Sequence, residues 1–421
     1  MLYTEFQGKK LSMLGFGAMR LPTNEDGSIN EALTQEMTDI AIAQGVNYFD
    51  TAYPYHGGMS EVVMGRALAK YPRESWYLAN KYPGHQIASE YNPADIFEEQ
   101  LKKCGVEYFD FYLLHNVYEH SMDVYLDPKW GIIDYFREQK RLGRIRHLGF
   151  SCHGCVENLR AFLDAPVPEV GQRPTSDNEC LHSPSVASDA PALMADIMEF
   201  CQIQLNWLDW TLQEAKERLE LLNERSIPVW VMEPVRGGRL CKLTEDEEKT
   251  LRNLRPEESV AAWSFRFLQN IPGVMMILSG MSNMEQMLDN LKTFAEEKPL
   301  SRSERETLLQ MAEGMKQSVP CTACGYCLKS CPMGLDIPTM LATYNELKFA
   351  KVTNASMLYE LMPADKQPSA CIKCGACRMM CPQHIPIPVK LGELSAILDD
   401  MPKWVDISKQ REEAAKRMRN G

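Results

Sequence analysis

The chain has 421 residues, more than one average domain needs and enough for a barrel of about 250 residues plus a smaller module. Hydrophobic residues make up 45% and charged residues 24%, an ordinary globular composition that argues against disorder. With 57 acidic against 45 basic residues the net charge is −12, which makes nucleic acid or an anionic membrane a poor partner for the bulk surface.

No basic start followed by an apolar stretch opens the sequence, so no signal peptide is expected. No run of about 18 apolar residues exists, so no membrane span is expected either, and the cytoplasm is the expected compartment. Cysteines in that compartment do not read as disulfides. There are 14 of them, and eight fall between Cys321 and Cys381.

In chain order, residues 3–6 and 10–13 read as a hairpin turning at Gly8. Eight short β-rich apolar runs follow, at 14–19, 47–50, 76–80, 109–114, 147–150, 202–205, 228–232 and 274–278. Amphipathic stretches such as 34–44, 95–103, 212–224 and 259–268 lie between them. Strands alternating with helices signal a parallel sheet, and eight units in under 300 residues fit a TIM (β/α)8 barrel better than an open sheet. The fold class is therefore α/β, with the barrel over 1–300. The stretch 164–191 breaks the rhythm with five prolines and four serines, and reads as an inserted loop. A charged linker helix over 301–317 leads to a second domain over 318–400, and a tail occupies 401–421.

The second domain is an internal repeat with an offset of 50. Each half reads C-x2-C-x2-C-x3-C-P: Cys321, Cys324, Cys327, Cys331 and then Cys371, Cys374, Cys377, Cys381. Three closely spaced thiolates wrap one corner of a cubane, and the fourth is carried across to the other cluster. One 4Fe–4S cluster then takes Cys321, Cys324, Cys327 and Cys381. The other takes Cys371, Cys374, Cys377 and Cys331. Zinc also accepts C-x2-C, but pairs two such knuckles across a longer gap. The 39 residues between Cys331 and Cys371 carry a helical period, with Ile337, Leu341, Tyr344 and Leu347 on one face. This resembles the α-helical ferredoxin modules of respiratory reductases.

Carbonyl reduction needs a proton donor where hydride arrives. A tyrosine serves if a nearby lysine cation favours its ionised form, an aspartate can hold that lysine, and a histidine can orient the carbonyl. In a barrel these groups sit at the C-terminal ends of different strands. Asp50 and Tyr55 in FDTAYPYHGG, Lys81 in LANKYP and His115 in FDFYLLH supply such a set.

These segments, with the opening GFGAMRLP and the later GFSCH, resemble the aldo/keto reductase family over about residues 10–295. The resemblance implies a catalytic tetrad of Asp50, Tyr55, Lys81 and His115. The family's spacing from the aspartate selects Tyr55 over Tyr53. It also implies a nicotinamide cofactor, NADP(H) or NAD(H). Gly17 and Met19 lie at the cofactor in the opening segment. Ser151 and Gln202 hold the carboxamide, and Arg236 and Gly237 approach the phosphates. Cys152 stands where the family often has Asn, Met232 near the usual stacking aromatic, and Glu233 near a small polar residue. Ser282 and Glu285 read as a capping box that starts a helix, with Ser282, Asn283, Gln286 and Asn290 at the adenine end. Asn283 replaces a common basic residue, which leaves NADP(H) against NAD(H) open.

The expected function is an oxidoreductase acting on a small carbonyl or alcohol, with two 4Fe–4S clusters as an electron relay. Hydride carries two electrons and a cluster takes one. Either a flavin mediates between barrel and clusters, or a separate ferredoxin-like partner supplies single electrons. The competing expectation is a nucleotide- or flavin-linked electron-transfer or regulatory subunit without carbonyl turnover.

Overall fold

The structure, a computed structural model, describes residues 1–86, 88, 90–119, 121–168, 191–315, 319–349, 359, 362–401 and 403. The chain divides into two compact units, Met1–Glu313 and Gly314–Gly421.

The first unit opens with an antiparallel hairpin of β1 (Tyr3–Phe6) and β2 (Lys9–Ser12). Its two-residue turn places Gln7 and Gly8 at φ +47° and +76°, the left-handed pair that matches strand twist. Phe6 packs on Phe111, His147, Phe200 and Trp230, so the hairpin plugs the N-terminal mouth of a barrel.

That barrel is closed and parallel, in the order β10-β3-β4-β5-β6-β7-β8-β9. Its strands are β3 (Leu14–Gly17), β4 (Tyr48–Asp50), β5 (Tyr77–Tyr82), β6 (Phe109–Val117), β7 (Ile145–Cys152), β8 (Cys201–Gln204), β9 (Val229–Met232) and β10 (Val274–Ser279). All eight expected strands are present. The runs are apolar nearly throughout because a parallel strand is buried on both faces. Helices pack outside, with local start and stop chemistry. Asn92 caps Pro93–Cys104 by accepting from the Ala94 and Asp95 amides, Pro93 occupies the first turn, and left-handed Gly105 ends the helix. Parallel strands share one C-terminal rim, and that rim carries the site.

Of the 164–191 stretch, 169–190 lie outside the described residues; Pro166 bridges Leu193 where the chain returns. The expected tail likewise falls outside the described residues beyond 403.

The helix Arg302–Met315 differs from a linker leading away. Leu308 and Ala312 are buried, Arg255 pairs with Glu304 at 2.6 Å, and the Arg305 guanidinium lies 4.0 Å from the Phe267 ring centre. An apolar stripe and two cation contacts hold it against the barrel.

The second unit is helical. Ile337–Phe349 and Ile387–Asp399 each carry Pro in the first turn, where no hydrogen bond is lost. Its core includes Leu335, Ile337, Leu341, Tyr344, Ile385, Ile387, Leu391 and Leu394. The repeat is visible in the backbone: Ala323, Gly325 and Gly334 are left-handed, and so are Lys373, Gly375 and His384, fifty positions later.

Candidate functional site

On the barrel rim, Asp50 ends β4 and Lys81 is the next-to-last residue of β5. The Lys81 ammonium lies 2.5 Å from the Asp50 carboxylate, donates to the Thr51 carbonyl at 2.8 Å, and reaches the Tyr55 hydroxyl at 3.4 Å. Lys81 is fully buried. Burial pushes its ammonium down and the Asp50 carboxyl up, while their mutual attraction opposes both shifts. His115, in β6, meets the Tyr55 ring edge-on at 5.9 Å between centres. Burial and the neighbouring His85, Lys81 and His153 hold its imidazole well below the usual range, so it is neutral at pH 7. Its Nδ1 is buried and has no partner among the described residues. The structure thus brings the four expected catalytic residues together.

Tyr55 is placed by a tight turn. It begins the short 3-10 segment Tyr55–Gly58, in which His56, Gly57 and Gly58 have φ of +49°, +65° and +92°. The two glycines enter that region at little cost. His56 Nε2 accepts from the Leu21 amide at 3.1 Å, which ties the turn to the loop after β3.

Ser151 and Gln202 sit directly opposite each other on β7 and β8. The Ser151 hydroxyl accepts from the Asn116 amide at 2.7 Å and keeps its own proton to donate. Gln202 is buried and its Oε1 has no partner among the described residues. A carboxamide needs one acceptor and one donor, and this pair offers both.

Gly17 ends β3, where an added Cβ would stand 3.2 Å from the Ser279 carbonyl of β10. Met19 is half-buried in the short 3-10 turn that follows. Gly237 is left-handed and exposed in the loop after β9.

Several of the expected residues have partners within the protein. The Arg236 guanidinium is buried, and its Nε donates to both Asp209 oxygens at 3.1 and 3.0 Å. Asp209 also accepts from Gln204 at 2.7 Å and Asn206 at 2.6 Å. Arg236 therefore orders the loop after β9 through Nε, while its Nη2 is buried without a partner among the described residues. Glu233 pairs with Arg20 at 3.4 Å, joining the loops after β9 and β3.

The helix at the adenine end is Met284–Thr293, and its cap is Asn283, which accepts from the Gln286 amide at 2.9 Å. The expected Ser282–Glu285 capping box does not form. The Ser282 hydroxyl donates to the Arg20 carbonyl at 3.0 Å, and its amide donates to Gln286 Oε1 at 2.8 Å. Asn290 is buried and donates to Ser279 at 2.9 Å.

Sequence reasoning did not single out His85. It lies in the loop after β5, 5% exposed, with its ring edge-on to His115 at 4.4 Å. Burial pushes its imidazole down to about 4. A histidine four residues beyond a candidate catalytic lysine was the available signal.

In the second unit the eight cysteines surround two cavities. One is lined by Cys321, Cys324, Cys327 and Cys381. The other is lined by Cys331, Cys371, Cys374 and Cys377. The thiols interact in the same two sets: Cys327 with Cys321, Cys324 and Cys381, and Cys377 with Cys331, Cys371 and Cys374. Burial and these neighbours push Cys327 up, and Cys377 to about 11, the state that a bound cation reverses. Among the described residues no three His, Cys, Asp or Glu side chains converge to hold a single metal ion. Gly325 and Gly375 are left-handed, and the Ala323 amide donates to the Cys321 sulfur at 3.4 Å. Four thiols gathered around each site are the donor set of a cubane, and fit one in each quartet.

The family model of the aldo/keto reductases matches residues 13–313, and that of the 4Fe-4S dicluster domain matches 320–385. A probable aldo-keto reductase of Glycine max is 31% identical over 161 residues, 34% of this chain and 42% of the relative. An NADH-specific methylglyoxal reductase of Escherichia coli is 33% identical over 136 residues, 28% of this chain and 40% of the relative. The chain thus spans less than half the length of either. Among solved structures, an aldo/keto reductase of Klebsiella pneumoniae in complex with NADP and acetate superposes with a TM-score of 0.54 at 18% identity. It covers 73% of this chain and 93% of that one, a likeness of fold. Among the described residues, no helix is long and apolar enough to cross a membrane.

Proposed function

Since the chain belongs to the aldo/keto reductase family and carries a 4Fe-4S dicluster domain, we propose that it reduces a small carbonyl compound, or oxidises the alcohol, with Tyr55 as the proton donor. The observation that carries this reading is the buried Lys81 ammonium held between Asp50 and Tyr55. A bound nicotinamide dinucleotide supplies hydride to the carbonyl carbon. Tyr55 gives its hydroxyl proton to the carbonyl oxygen, and Lys81 stabilises the phenolate left behind. Asp50 keeps Lys81 charged and aimed. Neutral His115 orients the carbonyl oxygen through a ring nitrogen.

Gln202 and Ser151 would hold the carboxamide, as acceptor and donor. Gly17 and Met19 would lie along the dinucleotide, and Gly237 would admit a phosphate. Ser282, Asn283, Gln286 and Asn290 would frame the adenine end. The E. coli relative is named as NADH-specific and the Klebsiella structure holds NADP, so either dinucleotide suits the family. Two quartets of cysteine ligands fit a reducing compartment, the cytoplasm.

The two quartets would hold two 4Fe–4S clusters, each exchanging one electron when bound. Either a flavin-type mediator takes the hydride and passes single electrons, or a separate ferredoxin-like carrier supplies them for a substrate reduced without nicotinamide, because the tetrad has nothing that splits a hydride. The test is anaerobic purification with iron, sulfide and organic cofactor counted. Turnover of an aldehyde and ketone panel with NADH and NADPH follows. About eight iron atoms per chain and nicotinamide-dependent turnover support the reading. Bound zinc in place of iron, or no turnover of any carbonyl, overturns it.

A further inference from the structure

The two halves of the second unit share a backbone but differ in surface. At the position of Ile372, 60% exposed, the first half has Thr322, 3% exposed. At Lys373 it has Ala323, while Arg378 and Met379 correspond to Leu328 and Lys329, the same kinds of side chain in reversed order. Ile372 lines the second cavity, whose ligand Cys374 is exposed. Met379 and Val389 nearby in sequence are 48% and 57% exposed.

The charge differs too. Between residues 366 and 392 lie Lys366, Lys373, Arg378 and Lys390 and no acidic residue, in a chain of net charge −12. Lys390 is matched by Glu393 at 3.0 Å, and Lys366 donates to the Met333 carbonyl at 2.7 Å. Lys373 and Arg378 are exposed and make no ion pair among the described residues. Large exposed aliphatic side chains beside unmatched cations are the anatomy of a transient docking patch, an apolar centre with a charged rim.

We propose that Ile372, Lys373, Arg378 and Met379 form the docking surface for an acidic one-electron carrier protein of the ferredoxin class, which exchanges electrons through the quartet of Cys331, Cys371, Cys374 and Cys377. This rests on the dicluster reading above and adds the port and the charge of the partner. The exchange moves one electron between the carrier's reduced centre and the oxidised centre of this quartet. No bond or proton changes. The basic patch steers a negatively charged carrier, while the chain's overall negative charge repels it from other faces. The first quartet has exposed Leu328 and Lys329 where the second has Arg378 and Met379, but buried Thr322 and uncharged Ala323 leave it without the Ile372–Lys373 part of that port.

The test compares the full chain with Lys373→Glu/Arg378→Glu and with Lys329→Glu, a charge reversal on the first half. The probe is a purified acidic two-cluster ferredoxin. Stopped-flow absorbance follows its oxidation, and calorimetry measures binding of its oxidised form. The double reversal should slow reduction at least about 10-fold at low salt and weaken binding in parallel. The gap should close at high salt, where surface charge is screened. Reduction by dithionite should be unchanged, and Lys329→Glu should behave like the parent. Equal rates and affinities in parent and double variant would overturn the proposal. So would an equal loss in Lys329→Glu, or a patch that retains anionic vesicles and not the carrier. Failure of the dicluster reading is distinct: the parent would lack dithionite-reducible iron, whatever the binding data show.

Discussion

Cys381 belongs to the second cysteine repeat, yet it lines the same cavity as Cys321, sixty positions earlier, and the two thiols interact. Cys331 crosses the other way into the second quartet. Each quartet therefore draws three cysteines from one half and one from the other.

The crossing makes the effect of single ligand changes specific. Cys381→Ser should damage the cluster of Cys321, Cys324 and Cys327, and leave the other. Its iron content should fall from about eight to about four per chain when the unit stays folded. The remaining paramagnetic signal should match that of Cys324→Ser and differ from that of Cys374→Ser. A Cys381→Ser signal matching Cys374→Ser would refute the crossed assignment.

The buried Lys81–Asp50 pair should be costly to break from one side. Lys81→Met leaves Asp50 charged in a site it cannot solvate, a loss of about 3–5 kcal/mol. Lys81→Met/Asp50→Asn removes both charges and should recover part of it. Chemical denaturation of the three proteins measures the difference. A double variant no more stable than the single would show that the carboxylate is not stranded.

Acid should weaken the barrel partly through its buried histidines. His85 titrates at about 4 when folded against about 6.5 unfolded, and His115 is depressed as well. Between those values the unfolded chain binds more protons than the folded one, so stability falls as pH falls from about 6.5 toward 4. One such group contributes up to about 1.4 kcal/mol per pH unit. His85→Gln should flatten the slope in that window relative to the parent. Denaturant midpoints at pH 6.8 and 5.0 check this, and parallel slopes would contradict it.

Gly65 has a packing reason. In the helix Met59–Leu68 an added Cβ would lie 2.4 Å from the Cys104 carbonyl oxygen, which is backbone and cannot rotate away. Gly65→Ala should destabilise the barrel by about 1–3 kcal/mol despite its better helix propensity. A higher thermal midpoint would contradict that.

The barrel was legible because its strands are buried on both faces and read as unbroken apolar runs between amphipathic stretches. Asp50, Lys81 and His115 were legible because they stand at or near strand ends, where a barrel collects its chemistry. What escaped depends on partners far apart in sequence. Arg236 looked free until Asp209, 27 residues earlier, was seen to hold it. Ser282 looked like a helix cap as much as Asn283 does, and the Arg20 carbonyl, 262 residues away, decides between them. Glu233 read as an intruder at the nucleotide, and Arg20 supplies its counter-ion. The charged face of Arg302–Met315 suggested a linker, and only Arg255, Phe267 and Trp210 show what it packs on.

The central claim is that Tyr55 protonates the substrate. Tyr55→Phe removes one hydroxyl and leaves the shape, so dinucleotide affinity, iron content and thermal midpoint should match the parent. The deciding measurement is single-turnover carbonyl reduction by this variant at saturating NADH or NADPH, with the best substrate of the panel. The account predicts a rate about 10²- to 10⁴-fold below the parent's. A rate within a few-fold of the parent's would contradict it.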